Sequence, residues 1–146
     1  MKQRDILFRG KTIYRPHWVY GLCRCSHRHP DNITIRDMHG FVYAIHHESL
    51  HEYSGLTDST KWDDLTEGER GQFMQDFGVN ATWKGRKIFE ADALDIDGIK
   101  GVVVFNKGAF CLKRKLTCYP LSEYNISKMK VIGNITNSPE LFTKYE

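Results

Sequence analysis

The stretch Gly101-Val102-Val103-Val104-Phe105-Asn106-Lys107-Gly108-Ala109-Phe110-Cys111-Leu112-Lys113-Arg114-Lys115-Leu116-Thr117-Cys118 decides the fold class. Residues 101–105 form a short run with the composition of a buried strand. Asn106-Lys107-Gly108 is turn chemistry. Beyond it, Phe110, Leu112, Leu116 and Cys118 occupy even positions together with Arg114, while Lys113, Lys115 and Thr117 hold odd ones. A period of two with one wet face predicts an antiparallel sheet. By that parity Arg114 falls on the apolar side, and Lys113 and Lys115 face solvent. Just upstream, residues 88–96 read as extended and Asp97-Gly98 as a two-residue hairpin.

The same texture runs toward the N-terminus. Ile6-Leu7-Phe8-Arg9-Gly10, residues 12–15 and residues 18–25 read as strands, and Gly21 marks a bulge or a close backbone approach. His29-Pro30-Asp31-Asn32 is a turn, after which residues 33–36 and 41–45 spell a hairpin around Asp37-Met38-His39-Gly40. Residues 46–53 read as a turn or two of helix or as a connector. Thr66-Glu67-Gly68-Glu69 is a capping box; Phe73, Met74 and Phe77 then share one face and Gly78 terminates, which predicts a helix over Glu67–Phe77. Residues 130–135 read as a last strand, and Ser138-Pro139-Glu140 opens a short C-terminal helix. Short strands joined by hairpin turns predict a mainly β, β-rich α+β fold: a small antiparallel barrel or strongly curved sheet, with the helix over an opening or edge.

Composition bounds the rest. The 146 residues suit one domain, and 40% hydrophobic against 27% charged residues excludes wholesale disorder. Twenty-one Lys and Arg against 18 Asp and Glu give a net charge of +3, which neither demands nor excludes nucleic acid. No apolar run has the length of a membrane span, and MKQRDILFRGK carries no signal-peptide core. The chain is therefore expected in the cytoplasm with Cys23, Cys25, Cys111 and Cys118 reduced.

Several clusters invite chemistry, and each has a plainer reading. Cys23, Cys25, His27 and His29 are all zinc-ligand types, but alternate spacing on a strand spreads four ligands too far, and a strand end running into the Pro30 turn is the simpler account. His46, His47 and His51 lie close in sequence, with helical spacing between the last two, yet the order H-H-E-S-L-H is not a zincin motif. Glu90, Asp92, Asp95 and Asp97 could hold a cation or work as acid and base; carboxylates accepting turn amides explain them as well. Lys107, Lys113, Arg114 and Lys115, with Phe110 and Tyr119 nearby, suit single-stranded nucleic acid, though lysines also protect sheet edges. No P-loop or G-x-G-x-x-G pattern occurs.

One ordered series remains: Arg4-x-Ile6-x-Phe8-Arg9, Trp18-Val19-Tyr20-Gly21, Glu48-Ser49-Leu50-His51-Glu52-Tyr53-Ser54-Gly55-Leu56-Thr57-Asp58, Gly85-Arg86-Lys87-Ile88-Phe89-Glu90-Ala91-Asp92, residues 101–105, and Val131-Ile132-Gly133-Asn134-Ile135 with Ser138-Pro139-Glu140-Leu141. This order resembles the YopX-like family of phage and prophage proteins and covers nearly the whole chain. Two departures stand out. Residues 59–83, with their predicted helix, are inserted between blocks that the family joins directly. Ala91 replaces a family glycine, so a positive φ there would be strained.

The resemblance implies a single YopX-like domain over 1–146, with 59–83 as a helical insertion. It also implies phage or prophage origin and self-association, but no activity. The Ile88-Phe89-Glu90-Ala91-Asp92-Ala93-Leu94 segment followed by residues 101–105 is similar to the entry of SH3-like barrels. The expected function is a non-enzymatic phage accessory protein that binds a macromolecular partner, either nucleic acid through Lys107, Lys113 and Lys115 or a protein, without cofactor or membrane. The competing class is a small metal-dependent or hydrolytic enzyme using Glu90 and Asp92 or the histidines.

Overall fold

Hairpins account for most of the chain in the computed structural model, which describes residues 6–25 and 32–145. They belong to two compact units, one formed by the described residues of 6–53 with 65–82, the other by 54–64 with 83–145.

The first unit contains β1 (Phe8–Lys11), β2 (Trp18–Cys25), β3 (Ile33–Arg36), β4 (Val42–Ile45) and the start of β5 (His51–Thr57), in the antiparallel order β4-β3-β2-β1-β5. Alternate residues of these strands converge on a core of Val19, Ile33, Ile35 and Ile45. Gly21 is the close approach its position predicts: a Cβ there would overlap the Arg36 carbonyl oxygen. Helix α1 (Glu67–Phe77) forms as its capping box requires, with Thr66 Oγ1 accepting from the Glu69 amide and Glu69 Oε1 from the Thr66 amide, both at 3.1 Å. Phe73 is buried, and Phe77 packs its ring 5.0 Å from that of Tyr20.

In the second unit, β6 (Lys87–Phe89) extends the sheet of β5. A five-stranded sheet has the order β10-β9-β8-β7-β11, from β7 (Asp92–Ile96), β8 (Ile99–Asn106), β9 (Ala109–Lys113), β10 (Cys118–Pro120) and β11 (Met129–Asn134). Ile88, Leu94, Ile96, Val103, Leu112, Leu121 and Met129 form its core. The Asp97-Gly98 and Lys107-Gly108 turns both hold two positive φ angles (55° and 91°, 51° and 81°), the twist-matched geometry of tight hairpins. Helix α2 (Glu140–Tyr145) packs on β8.

Four expectations are corrected. The strands form two antiparallel sheets that do not close into the small barrel expected from the hairpin pattern and the SH3-like likeness; among the described residues, the edge strand β4 is tied back only by an isolated bridge from Ile45 to Thr12, just beyond β1. Residues 88–96 are two strands, because the chain turns at Glu90-Ala91 with Ala91 at φ 72°. Residues 12–15 form a turn, in which the Thr12 hydroxyl binds the Tyr14 and Arg15 carbonyls and Arg15 takes φ 49°. Residues 110–118 do not form one strand: β9 ends at Lys113, and the Arg114 amide closes a turn onto the Thr117 carbonyl. Strand parity lapses there, which leaves Arg114 exposed and Leu116 97% exposed, both expected on the apolar face.

Candidate polyanion-binding surface

The 114–117 turn that breaks the strand pattern also builds a strongly basic concavity. Lys100, Arg114, Lys115 and Lys144 line an open cleft of about 500 Å³, together with Gly98, Leu116 and Thr117. Register explains the assembly. Val102 pairs with Lys113 and Gly101 with Leu94, so the start of β8 and the end of β9 lie at one end of the sheet. Lys144 is brought there by α2 against β8. Four cationic residues, and no acidic one among the described residues, line this space.

The lysines singled out from the sequence are divided by the same register. Lys115 lines the cleft. Lys113 is half-buried at the end of β9, opposite Val102 and Cys118. Lys107 sits in the tight turn at the far end of that hairpin, about 20 Å away at the ~3.4 Å rise of an extended strand. Lys100 was missed although its signal was present, two residues after the Asp97-Gly98 turn. Lys144 had no sequence signal.

The histidines separate as well. Residues His47–Ser49 make a single 3-10 turn and the chain is extended by Leu50, so the helical pairing of His47 with His51 never forms. His46 and His47 are exposed, with His47 Nδ1 3.6 Å from Glu48 Oε1. His51 is buried in β5, where its Nδ1 accepts a 3.1 Å hydrogen bond from Arg9 Nε. The Arg9 guanidinium lies 4.9 Å from the centroid of the Trp18 ring, which is 5.9 Å from that of His51. Burial, and then the Arg9 charge, push the His51 pKa down to about 3. His51 is a neutral acceptor in a packed stack.

Of the Cys23, Cys25, His27 and His29 group, both histidines lie outside the described residues; Cys23 is half-buried against the first core. Among the described residues, no three His, Cys, Asp or Glu side chains are grouped to hold a metal ion.

The acidic residues serve turns. Asp92 is buried and its Oδ2 accepts from the Phe89 amide at 2.8 Å, spanning the Glu90-Ala91 turn; Asp95 Oδ1 accepts from the Gly98 amide at 2.8 Å. A third carboxylate, Asp58, joins distant segments of the second unit. Its Oδ1 accepts from the amides of Thr60 (3.0 Å) and Arg86 (2.7 Å), and its Oδ2 from the Thr60 hydroxyl (3.0 Å) and the Val131 amide (2.9 Å). Sequence reasoning gave Asp58 no role of its own; the Asp-x-Thr spacing of an Asx turn was the available signal.

A family model described as YopX protein matches residues 8–143. The chain belongs to the YopX family. No curated protein and no solved structure matches it. In this YopX protein, three of the sequence blocks quoted above meet at Asp58: its own, the one holding Arg86 and the one holding Val131. Two further hydrogen bonds join blocks at Ala91, whose amide donates to the Val103 carbonyl at 2.8 Å and whose carbonyl accepts from the Ile135 amide at 3.0 Å. The YopX blocks thus encode a hydrogen-bonded framework here. The basic cleft owes Lys100, Arg114, Lys115 and Lys144 to positions outside those blocks.

Proposed function

We propose that this YopX-family protein is a phage or prophage accessory protein that acts by binding, and that its basic cleft takes the phosphate backbone of a nucleic acid. The observation that carries this reading is the cleft itself, which Lys100, Arg114, Lys115 and Lys144 line together. Converging cations bind phosphates by releasing condensed counterions and read no bases, so selectivity for sequence is weak. Leu116, 97% exposed on the cleft wall, adds an apolar surface for an unstacked base. The family likeness supports phage or prophage origin and self-association. The enzyme alternative is disfavoured because Asp92 is buried on a turn amide and His51 is buried apart from the exposed His46 and His47.

Fluorescence anisotropy with labelled single- and double-stranded oligonucleotides tests the reading. Binding should weaken steeply with salt, with a log–log slope of about −3 for four phosphate contacts on a single strand. The double variant Lys100→Glu, Lys115→Glu should lower affinity at least about ten-fold while changing stability by less than ~0.5 kcal/mol, since both side chains are exposed. Absence of measurable binding at low salt, or full affinity in the double variant, would overturn it.

A further inference from the structure

A second cavity, wholly within the first unit, has the opposite character. It holds about 250 Å³ between β2, the 37–41 turn and α1, and Asp37 and Asp76 are its only formally charged residues. Its volume is below the ~300 Å³ at which pockets for drug-sized molecules begin, and suits the end of a side chain.

Its polar groups present acceptors. Asp37 is pinned in the turn, where its Oδ1 takes the amides of His39 (2.9 Å) and Phe41 (3.0 Å) and its carboxylate takes the Tyr43 hydroxyl. Asp76 Oδ1 accepts from Gln72 Nε2 at 2.9 Å, which leaves the Gln72 carbonyl oxygen as an acceptor. His17 has Nδ1 2.7 Å from the Arg15 carbonyl, and His39 has Nε2 3.1 Å from the Gln75 carbonyl. A nitrogen facing a carbonyl oxygen carries the proton, so His17 donates to the Arg15 carbonyl and a neutral His39 ring keeps its lone pair at Nδ1. The walls that remain are aromatic, with Tyr20, Phe41 and Tyr43 lining the space. Trp18 also lines it, with its ring already stacked under Arg9 and 5.9 Å from Lys11 Nζ.

We infer that this pocket receives an alkylammonium or guanidinium group, presented by a lysine or arginine side chain of a partner protein or by a free polyamine. Two carboxylates, the Gln72 carbonyl oxygen and aromatic faces complement a cation rich in N–H donors, and repel carboxylates and phosphates. The electrostatic setting agrees. Burial holds the Asp76 carboxyl above its usual range, with Asp37 adding to that effect and Gln72 and His17 opposing it; a bound cation supplies the missing counter-charge. This site is independent of the basic cleft and would stand if nucleic-acid binding failed.

The test is an NMR titration of the full ¹⁵N-labelled chain with Nα-acetyl-lysine methylamide, Nα-acetyl-arginine methylamide and putrescine, with butyrate and n-butanol as controls. The cations should produce saturable shifts at the His39, Phe41 and Gln75 amides with a Kd of roughly millimolar order, as expected for a ligand of few atoms, and the controls should not. Tighter binding of the amino-acid amides than of putrescine assigns the occupant to a protein side chain; the reverse order assigns it to a polyamine. Asp76→Asn should weaken binding about ten-fold, the worth of one charge-assisted hydrogen bond. In the wild-type protein, the Asp76 carboxyl titration midpoint should fall when the site is saturated. Shifts that do not saturate, an equal response to butyrate, unchanged affinity in Asp76→Asn, or an unmoved Asp76 midpoint would each overturn the assignment.

Discussion

His51 enters the folded state as a neutral base against Trp18, accepting its hydrogen bond from Arg9, with a pKa near 3 where an exposed histidine would sit near 6.5. Below about pH 6.5 the unfolded chain takes up a proton that the folded chain refuses, so this residue's share of stability is complete above that pH. It is lost as pH falls toward 3, with a slope of up to ~1.4 kcal/mol per unit. Urea melts of wild type and His51→Gln between pH 7.5 and 4.5 should therefore converge as pH falls; a constant gap between them would show that His51 does not titrate this way. Arg9 and His51 were both quoted in the sequence blocks, but their contact across β1 and β5 was not legible, because it depends on register between strands 42 residues apart. Ala91 was more transparent. Its place in a family glycine position made a positive φ the condition to check, and the structure has 72° there.

Among the elements, α1 and the tight hairpins were written locally. A capping box, one apolar face and a terminal glycine define a helix without reference to anything distant, and the predicted limits Glu67–Phe77 match those observed. Strand β5 was missed because His51-Glu52-Tyr53-Ser54-Gly55-Leu56-Thr57 lacks apolar alternation and is held by its neighbours. Residues 59–83, expected from the family likeness to be an insertion, are closely tied at their ends. Ser59 binds the Met129 carbonyl through both its amide and its hydroxyl at 2.8 Å, Trp83 Nε1 donates to the Thr60 carbonyl at 2.9 Å, and the Trp62 and Trp83 rings lie 5.8 Å apart. The portion expected to be dispensable to the second unit is accordingly 65–82. Replacing it by a short Gly/Asn turn should leave the Trp62 and Trp83 indole resonances near their native positions and a cooperative melt of the second unit, since loop length costs little closure entropy. Collapse of those resonances to random-coil values would show that the helix is required for the second unit to fold.

Over the whole molecule, the +3 net charge conceals a division, with a basic cleft on one unit and an acidic, aromatic pocket on the other. Self-association, expected from the family likeness, should appear in sedimentation as a mass above the 17.0 kDa protomer at micromolar concentration; a monomer throughout would remove it from the functional reading. Among the described residues no helix is long and apolar enough to cross a membrane. The amino-acid order by itself determined the β-rich class, the tight turns, the helix limits and the family, because period, turn chemistry and caps act over a few neighbouring residues. Tertiary structure alone decided that the sheets stay open, that Arg114 leaves the strand to join Lys100 and Lys144, and that Asp37 and Asp76 share one cavity. Each of these depends on which distant strands pair, in what register, and where a helix docks, and residues far apart in sequence acquire a common electrostatic environment only once packing has set the distance between them.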